Sequence, residues 1–142
     1  MRKLFLVLLL SLNSLGTNKP NIVLILIDDL GLTDIGAFGS EIDTPNMDML
    51  AGEGLIFSNY HTSPECAPSR AMLLTGMDNH NVGIPMIPEV MPRNLRNIPG
   101  YEGYLIPEAL TLAELLKPHG YKTYMTGKWH LGFGGKETAA LP

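Results

Sequence analysis

What this sequence has little of narrows it first. Cysteine occurs once in 142 residues, at Cys66, so no disulfide can close within the chain. Basic residues are few and unclustered: 10 Lys and Arg stand against 14 Asp and Glu, for a formal charge of −4. That balance offers nucleic acid no electrostatic footprint. Long apolar runs are missing too. The most continuous, from Leu4 to Leu12, follows the basic start Met1-Arg2-Lys3 and precedes the small residues of Ser14-Leu15-Gly16. It is too short to span a bilayer, so it predicts a signal peptide over residues 1–16, with an uncleaved N-terminal anchor as the alternative. The remainder, 17–142, is then expected to be secreted or periplasmic, without stable membrane insertion. An unpaired thiol in an oxidising compartment is a liability unless it is buried or converted.

What is present fits one globular domain: 45% of residues are hydrophobic, and the length allows a single core. Ile22-Val23-Leu24-Ile25-Leu26-Ile27 is an unbroken β-branched and leucine run that reads as a central strand covered on both faces. It stops at Asp28-Asp29. Two adjacent carboxylates at the end of a buried strand repel each other unless a cation lies between them. Taken alone, the pair reads equally as a divalent-metal site with oxygen donors or as a solvated turn or helix cap. Thr44-Pro45 opens a short helix that ends at Gly52 and Gly54, and 55–60 is a second candidate strand. Asp78-Asn79 reads as a turn. Residues 83–107 carry prolines at 85, 88, 92, 99 and 107 and read as a long ordered loop or lid at a pocket rim. Thr111-Leu112-Ala113-Glu114 has the form of a capping box, the helix closes around Lys117-Pro118-His119-Gly120, and 121–125 is a third candidate strand. Strands alternating with helices predict an α/β fold.

Two motifs carry the chemistry. Cys66-Ala67-Pro68-Ser69-Arg70, continued to Thr75-Gly76, places the cysteine at a helix N-terminus, where free N–H groups and the helix dipole favour negative charge. Proline in that first turn sacrifices no donor, and Arg70 sits one turn inside, within reach of position 66. A lone cysteine is otherwise a small buried hydrophobe. Gly127-Lys128-Trp129-His130-Leu131-Gly132 follows the third candidate strand; on an extended segment Lys128 and His130 point the same way, toward one anionic group. Alone, they read as well as part of a solvated loop.

Together, Asp28-Asp29, Cys-x-Pro-Ser-Arg with its Thr-Gly stop, and Gly-Tyr-x-Thr-x-x-Thr-Gly-Lys-Trp-His resemble the signatures of the type I sulfatases. Pro99-Gly100-Tyr101-Glu102-Gly103 adds a resemblance to bacterial arylsulfatases. Glu65 departs from the pattern, since relatives more often carry a small or apolar residue there. The resemblance implies the N-terminal part of an alkaline-phosphatase-like domain, a mixed, mainly parallel sheet flanked by helices and incomplete over this length. It implies oxidation of Cys66 to formylglycine by a maturation enzyme. One hydroxyl of the hydrated aldehyde attacks sulfur, and the other later expels sulfate as the aldehyde re-forms. It implies one calcium ion, in preference to magnesium or manganese, held by Asp28, Asp29 and the modified Cys66. Arg70 and Lys128 add positive charge, and His130 assists as sulfate leaves.

The substrate class implied is a small-molecule or glycan sulfate ester. In the family, an Asp-Asn metal pair, a second histidine and a second lysine come from later strands, so a fragment with an incomplete site and little activity is the expectation for these residues. Two alternatives stand beside it: a phosphonate or phosphate ester hydrolase of the same superfamily, and an inactive secreted remnant in which Cys66 stays a thiol.

Overall fold

A computed structural model describes residues 19–96 and 98–132. The signal peptide expected over residues 1–16 lies outside the described residues. Among the described residues, three α-helices order the chain: α1 (Pro45–Glu53), α2 (Cys66–Thr75) and α3 (Leu112–Leu116). Short 3-10 turns lie at Leu32–Asp34, Gly36–Phe38, Pro88–Val90 and Lys117–His119.

Each helix has a local cause. In α1, Pro45 takes the first position, and Thr44 occupies the N-cap without capping through its side chain. Its hydroxyl instead accepts from the Gly36 N–H (2.8 Å) and donates to Asp48 (3.0 Å). Asp48 also accepts from the Ala37 N–H, so α1 is fastened to the turn before it. Helix α2 begins at Cys66, as expected, and ends at Gly76, whose left-handed backbone (φ 68°) turns its N–H back to the Met72 carbonyl. Helix α3 carries the reciprocal capping box: Thr111 Oγ1 accepts from the Glu114 N–H, and the Glu114 carboxylate accepts from the Thr111 N–H.

The core is small and lies under α2. Ala67 and Ala71 on one face of that helix pack with Val82, Ile84, Leu105, Ala109 and Leu131, and Leu74, Ile87, Ile106 and Trp129 close over them. The two alanines let the irregular segments approach the helix axis closely. The proline-rich stretch 83–107 is therefore more than a lid: Ile84, Pro88 and Leu105 are fully buried. It is knitted by backbone bonds from Gly103 to Gly83 (2.8 Å), Ile106 to Val82 (3.2 Å) and Leu105 to Leu131 (3.2 Å). The last of these hangs the segment after Lys128 and His130 on the core.

The sheet expected from 22–27, 55–60 and 121–125 is not formed among the described residues, where no strand occurs. β-Branched composition supplies propensity, but a strand exists only when a neighbouring backbone takes its N–H and C=O groups. No backbone hydrogen bond joins these three stretches to one another. Their apolar side chains are correspondingly open, with Val23 80%, Leu55 87% and Tyr124 86% exposed.

Candidate active site

Three stretches far apart in sequence meet at the N-terminus of α2. Cys66 opens the helix, and its Sγ lies 3.3 Å from Nδ1 of His130. From inside the same helix Arg70, almost fully buried, donates from Nη2 to Asp28 Oδ1 (3.0 Å) and from Nη1 to the Lys128 carbonyl (2.8 Å). Lys128 Nζ donates to the other oxygen of Asp28 at 2.7 Å. One carboxylate is thus held by two cations, one from each motif.

Arg70, expected within reach of position 66, makes its hydrogen bonds elsewhere. The guanidinium fork matches a carboxylate and a carbonyl in two directions, and its hydrogen bonds go to Asp28 and Lys128, not to the sulfur. Lys128 is close enough to Cys66 for the sulfur to act on its ammonium. Its ammonium is held above the usual lysine range chiefly by the Asp28 hydrogen bond, with the Cys66 sulfur adding in the same direction against burial. The Asp28 carboxyl is held below its ordinary range, first by Lys128 and then by Arg70.

The route by which Lys128 and His130 converge also differs from the simple alternation of an extended segment. His130 has φ 59°, in the left-handed region, and Asp29 has φ 55°; they are the two non-glycine residues with positive φ among the described residues. Such backbones are uncommon for side-chain-bearing residues and persist where surrounding contacts over-determine them. The left-handed turn at His130 swings the imidazole under Cys66, while Lys128 goes to Asp28. The intervening Trp129 then lines the same cleft, of about 330 Å³, with Glu89, Lys128, His130 and Gly132.

Glu89 is the residue that sequence reasoning missed. Its Oε2 lies 3.1 Å from Nε2 of His130, on the side of the ring opposite Cys66. Burial pushes the Glu89 carboxyl up, but hydrogen bonds from His130 and at its own backbone, with Lys128 nearby, hold it below the usual range. No local pattern marks it, because its partner stands 41 positions further on. Glu65 also gains a reason: its Oε2 accepts from the Ile87 N–H at 2.7 Å, tying the turn Pro88–Val90 to the residue that precedes Cys66.

The acidic pair tests as a cation site only in part. Asp28 and Asp29 are oxygen donors of the hardness calcium prefers, but calcium takes about six to eight oxygens. Both Asp28 oxygens already hold cations, and no group of three His, Cys, Asp or Glu able to hold a metal occurs among the described residues. The donor type suits the ion; the number falls short of a shell. Asp78 and Asn79 form a turn, as expected: Asp78 accepts from the His80 N–H, and the Asn79 amide donates to the carbonyls of Ile84 and Pro85. Among the described residues no helix is long and apolar enough to cross a membrane.

The chain is 48% identical over 137 residues to an uncharacterized sulfatase of Schizosaccharomyces pombe, covering 88% of this chain and 25% of that protein. It is 44% identical over 115 residues to an arylsulfatase of Klebsiella aerogenes, covering 81% and 24%. Against human arylsulfatase A it is 46% identical over 125 residues, covering 87% and 23%. The chain spans about a quarter of the length of these relatives. The sulfatase family model matches residues 20–140, and with that match the chain belongs to the sulfatase family.

Proposed function

We propose that the cleft beside Cys66 belongs to a sulfate-ester hydrolase site, acting on a small-molecule or glycan sulfate ester in a secreted or periplasmic protein. The observation that carries this reading is the 3.3 Å approach of Cys66 Sγ to His130 Nδ1, alongside a lysine tied to the first acidic residue. The three runs 22–27, 55–60 and 121–125 are the strand segments of the family's α/β sheet in this reading.

Cys66 is the position to be converted to formylglycine by a maturation enzyme. When formed, the hydrated aldehyde supplies a nucleophilic hydroxyl and a second hydroxyl whose deprotonation releases sulfate. Asp28 and Asp29, with the modified Cys66, are proposed as part of the donor set of one calcium ion, which when bound supplies positive charge at the sulfuryl oxygens.

The chain's own side chains then divide the work. Lys128, partly exposed at the cleft, meets the anionic sulfuryl group and counters charge that builds on its oxygens as the S–O bond breaks. Arg70, buried, holds Asp28 and the Lys128 carbonyl in place. His130 stands where Nδ1 exchanges a proton with a hydroxyl on residue 66. Turnover by these residues alone is expected to be low, because the described residues hold no three-ligand cluster.

The test is co-expression with a formylglycine-generating enzyme, trapping of the aldehyde with an aminooxy probe, and release of nitrophenol from its sulfate, phosphate and phosphonate esters. Aldehyde at position 66 with sulfate turnover that is lost in Lys128→Ala supports the reading. Faster phosphonate or phosphate release transfers it to the phosphorus-ester alternative. A thiol that stays unmodified under conditions that convert an arylsulfatase leaves a remnant domain and overturns it.

A further inference from the structure

Resting on that reading of the site, we infer that Glu89 is a positioning residue that selects which nitrogen of His130 faces residue 66. A neutral imidazole carries one proton, and the hydrogen bond made by one nitrogen fixes the state of the other. Glu89 offers a carboxylate oxygen 3.1 Å from Nε2, and a carboxylate held below its usual range remains an acceptor only. The proton therefore resides on Nε2 and points at Glu89. Nδ1 is left with its lone pair directed at position 66, 3.3 Å from the sulfur. An imidazole so oriented accepts a proton from a hydroxyl at residue 66; the opposite tautomer would present an N–H there and accept nothing.

The support for Glu89 is itself built in. It sits in the 3-10 turn Pro88–Val90, whose Pro88 is fully buried. That turn is closed by bonds from the Val90 N–H to the Ile87 carbonyl and from the Met91 N–H to the Pro88 carbonyl. The Glu65 carboxylate takes the Ile87 N–H, so the residue before Cys66 sets the height of the turn that carries Glu89. The departure from the family pattern at position 65 and the carboxylate at 89 are thus two parts of one brace. His130 pays for its left-handed backbone with contacts on both ring nitrogens, which is the over-determination such a conformation needs.

The experiment is nitrogen-15 NMR of the histidine-labelled chain, which distinguishes the two tautomers directly and does not depend on turnover. His130 in the unsubstituted chain is expected as the Nε2–H tautomer; a dominant Nδ1–H form or an even mixture overturns the inference without any variant. Glu89→Leu is expected to abolish the preference, and Glu89→Gln, whose amide oxygen still accepts from Nε2–H, to restore it. Glu89 is about half exposed, so its removal leaves the core intact, and a preference unchanged in Glu89→Leu overturns the inference. In the aldehyde-bearing protein Glu89→Leu lowers kcat on an aryl sulfate about tenfold with KM unchanged, a loss taken by analogy from the low end of that seen when metal-ligating histidines lose their orienting partners. Failure of the sulfatase reading removes the kinetic signal but leaves the tautomer measurement standing, so the two failures are told apart.

Discussion

Asp28 and Lys128 stand one hundred residues apart in the chain and meet at 2.7 Å, with Arg70 closing the other oxygen of the same carboxylate at 3.0 Å. The first motif ends, the second motif's helix and the third motif's turn are therefore joined through one side chain. In charge terms, Asp28 is an internal counter-ion: it keeps two cations beside Cys66 before any anionic substrate arrives. On the proposed hydrolase reading, an anionic substrate would meet a Lys128 already placed, so less ordering would be needed on binding.

The two partners of Asp28 differ in burial, and that separates the consequences of removing each side. Lys128→Ala removes a partly exposed ammonium and leaves Asp28 with Arg70, so the melting temperature should move little. Asp28→Ala leaves the Arg70 guanidinium buried with only the Lys128 carbonyl as acceptor, which is the costlier way to break a pair. Thermal melts of the two variants should rank Asp28→Ala well below Lys128→Ala; the reverse order would show that Arg70 finds another acceptor.

Asp29 is expected to behave differently from its neighbour. The described residues give its carboxylate no hydrogen-bond or ion-pair partner, and its left-handed backbone is one that aspartate tolerates better than most residues. In chelator, Asp29→Asn should melt with the unsubstituted chain while Asp28→Asn melts lower. If both acids contribute to a calcium site, adding calcium raises the melting temperature of the unsubstituted chain through linkage and raises that of Asp29→Asn less. Equal calcium shifts in the two would remove Asp29 from the donor set.

The parts of this molecule legible in sequence are those whose causes are local. Helix α2 announces itself through Pro68 and Gly76, and α3 through the Thr111 and Glu114 box, because caps and stops act over three or four residues. The convergence of Asp28, Cys66, Lys128 and His130 was readable as motif resemblance, not as periodicity. Glu89 and Glu65 were not readable, since each acts across a long loop that follows tertiary packing. The runs 22–27, 55–60 and 121–125 read as strands from composition, and among the described residues they lack the neighbouring backbones that would make them so. The proline-rich stretch was legible as ordered but not as core, because burial of Ile84 and Leu105 depends on the small face of α2 beneath them.

Gly83 tests whether that stretch is structural. Its φ is +86°, and a Cβ added there would come within 2.6 Å of the Tyr104 carbonyl oxygen. Backbone cannot yield as a side-chain tip does, and the adjoining Gly103-to-Gly83 bond leaves little slack. Gly83→Ala should therefore destabilise by more than about 1 kcal/mol, measured by urea unfolding, and should lower activity indirectly by loosening the turn that bears Glu89. Gly52→Ala, inside α1 with open space at the added carbon, is the control and should be neutral or slightly stabilising.

Acid should act on α3 with a definite sign. The Glu114 carboxyl is held below its ordinary value by the Thr111 N–H first and the Thr111 hydroxyl second. A carboxyl whose folded pKa is depressed contributes stability that is fully present above its unfolded pKa and is lost as pH falls through the folded one. The box therefore supports the helix at neutral pH and fails progressively below about pH 4.5, the reference value for an unperturbed glutamate. Glu114→Ala should lower the melting temperature at pH 7 and by progressively less as the pH falls toward 3. Thr111→Ala, by contrast, removes a nearly buried cap hydroxyl and costs about 1 kcal/mol, much of which persists at low pH, because the Thr111 oxygen still accepts from the Glu114 N–H when the carboxyl is neutral. Melting curves of the three proteins at pH 7 and pH 3 decide it: a Glu114→Ala deficit that acid does not diminish would mean the carboxylate's charge is not what caps the helix.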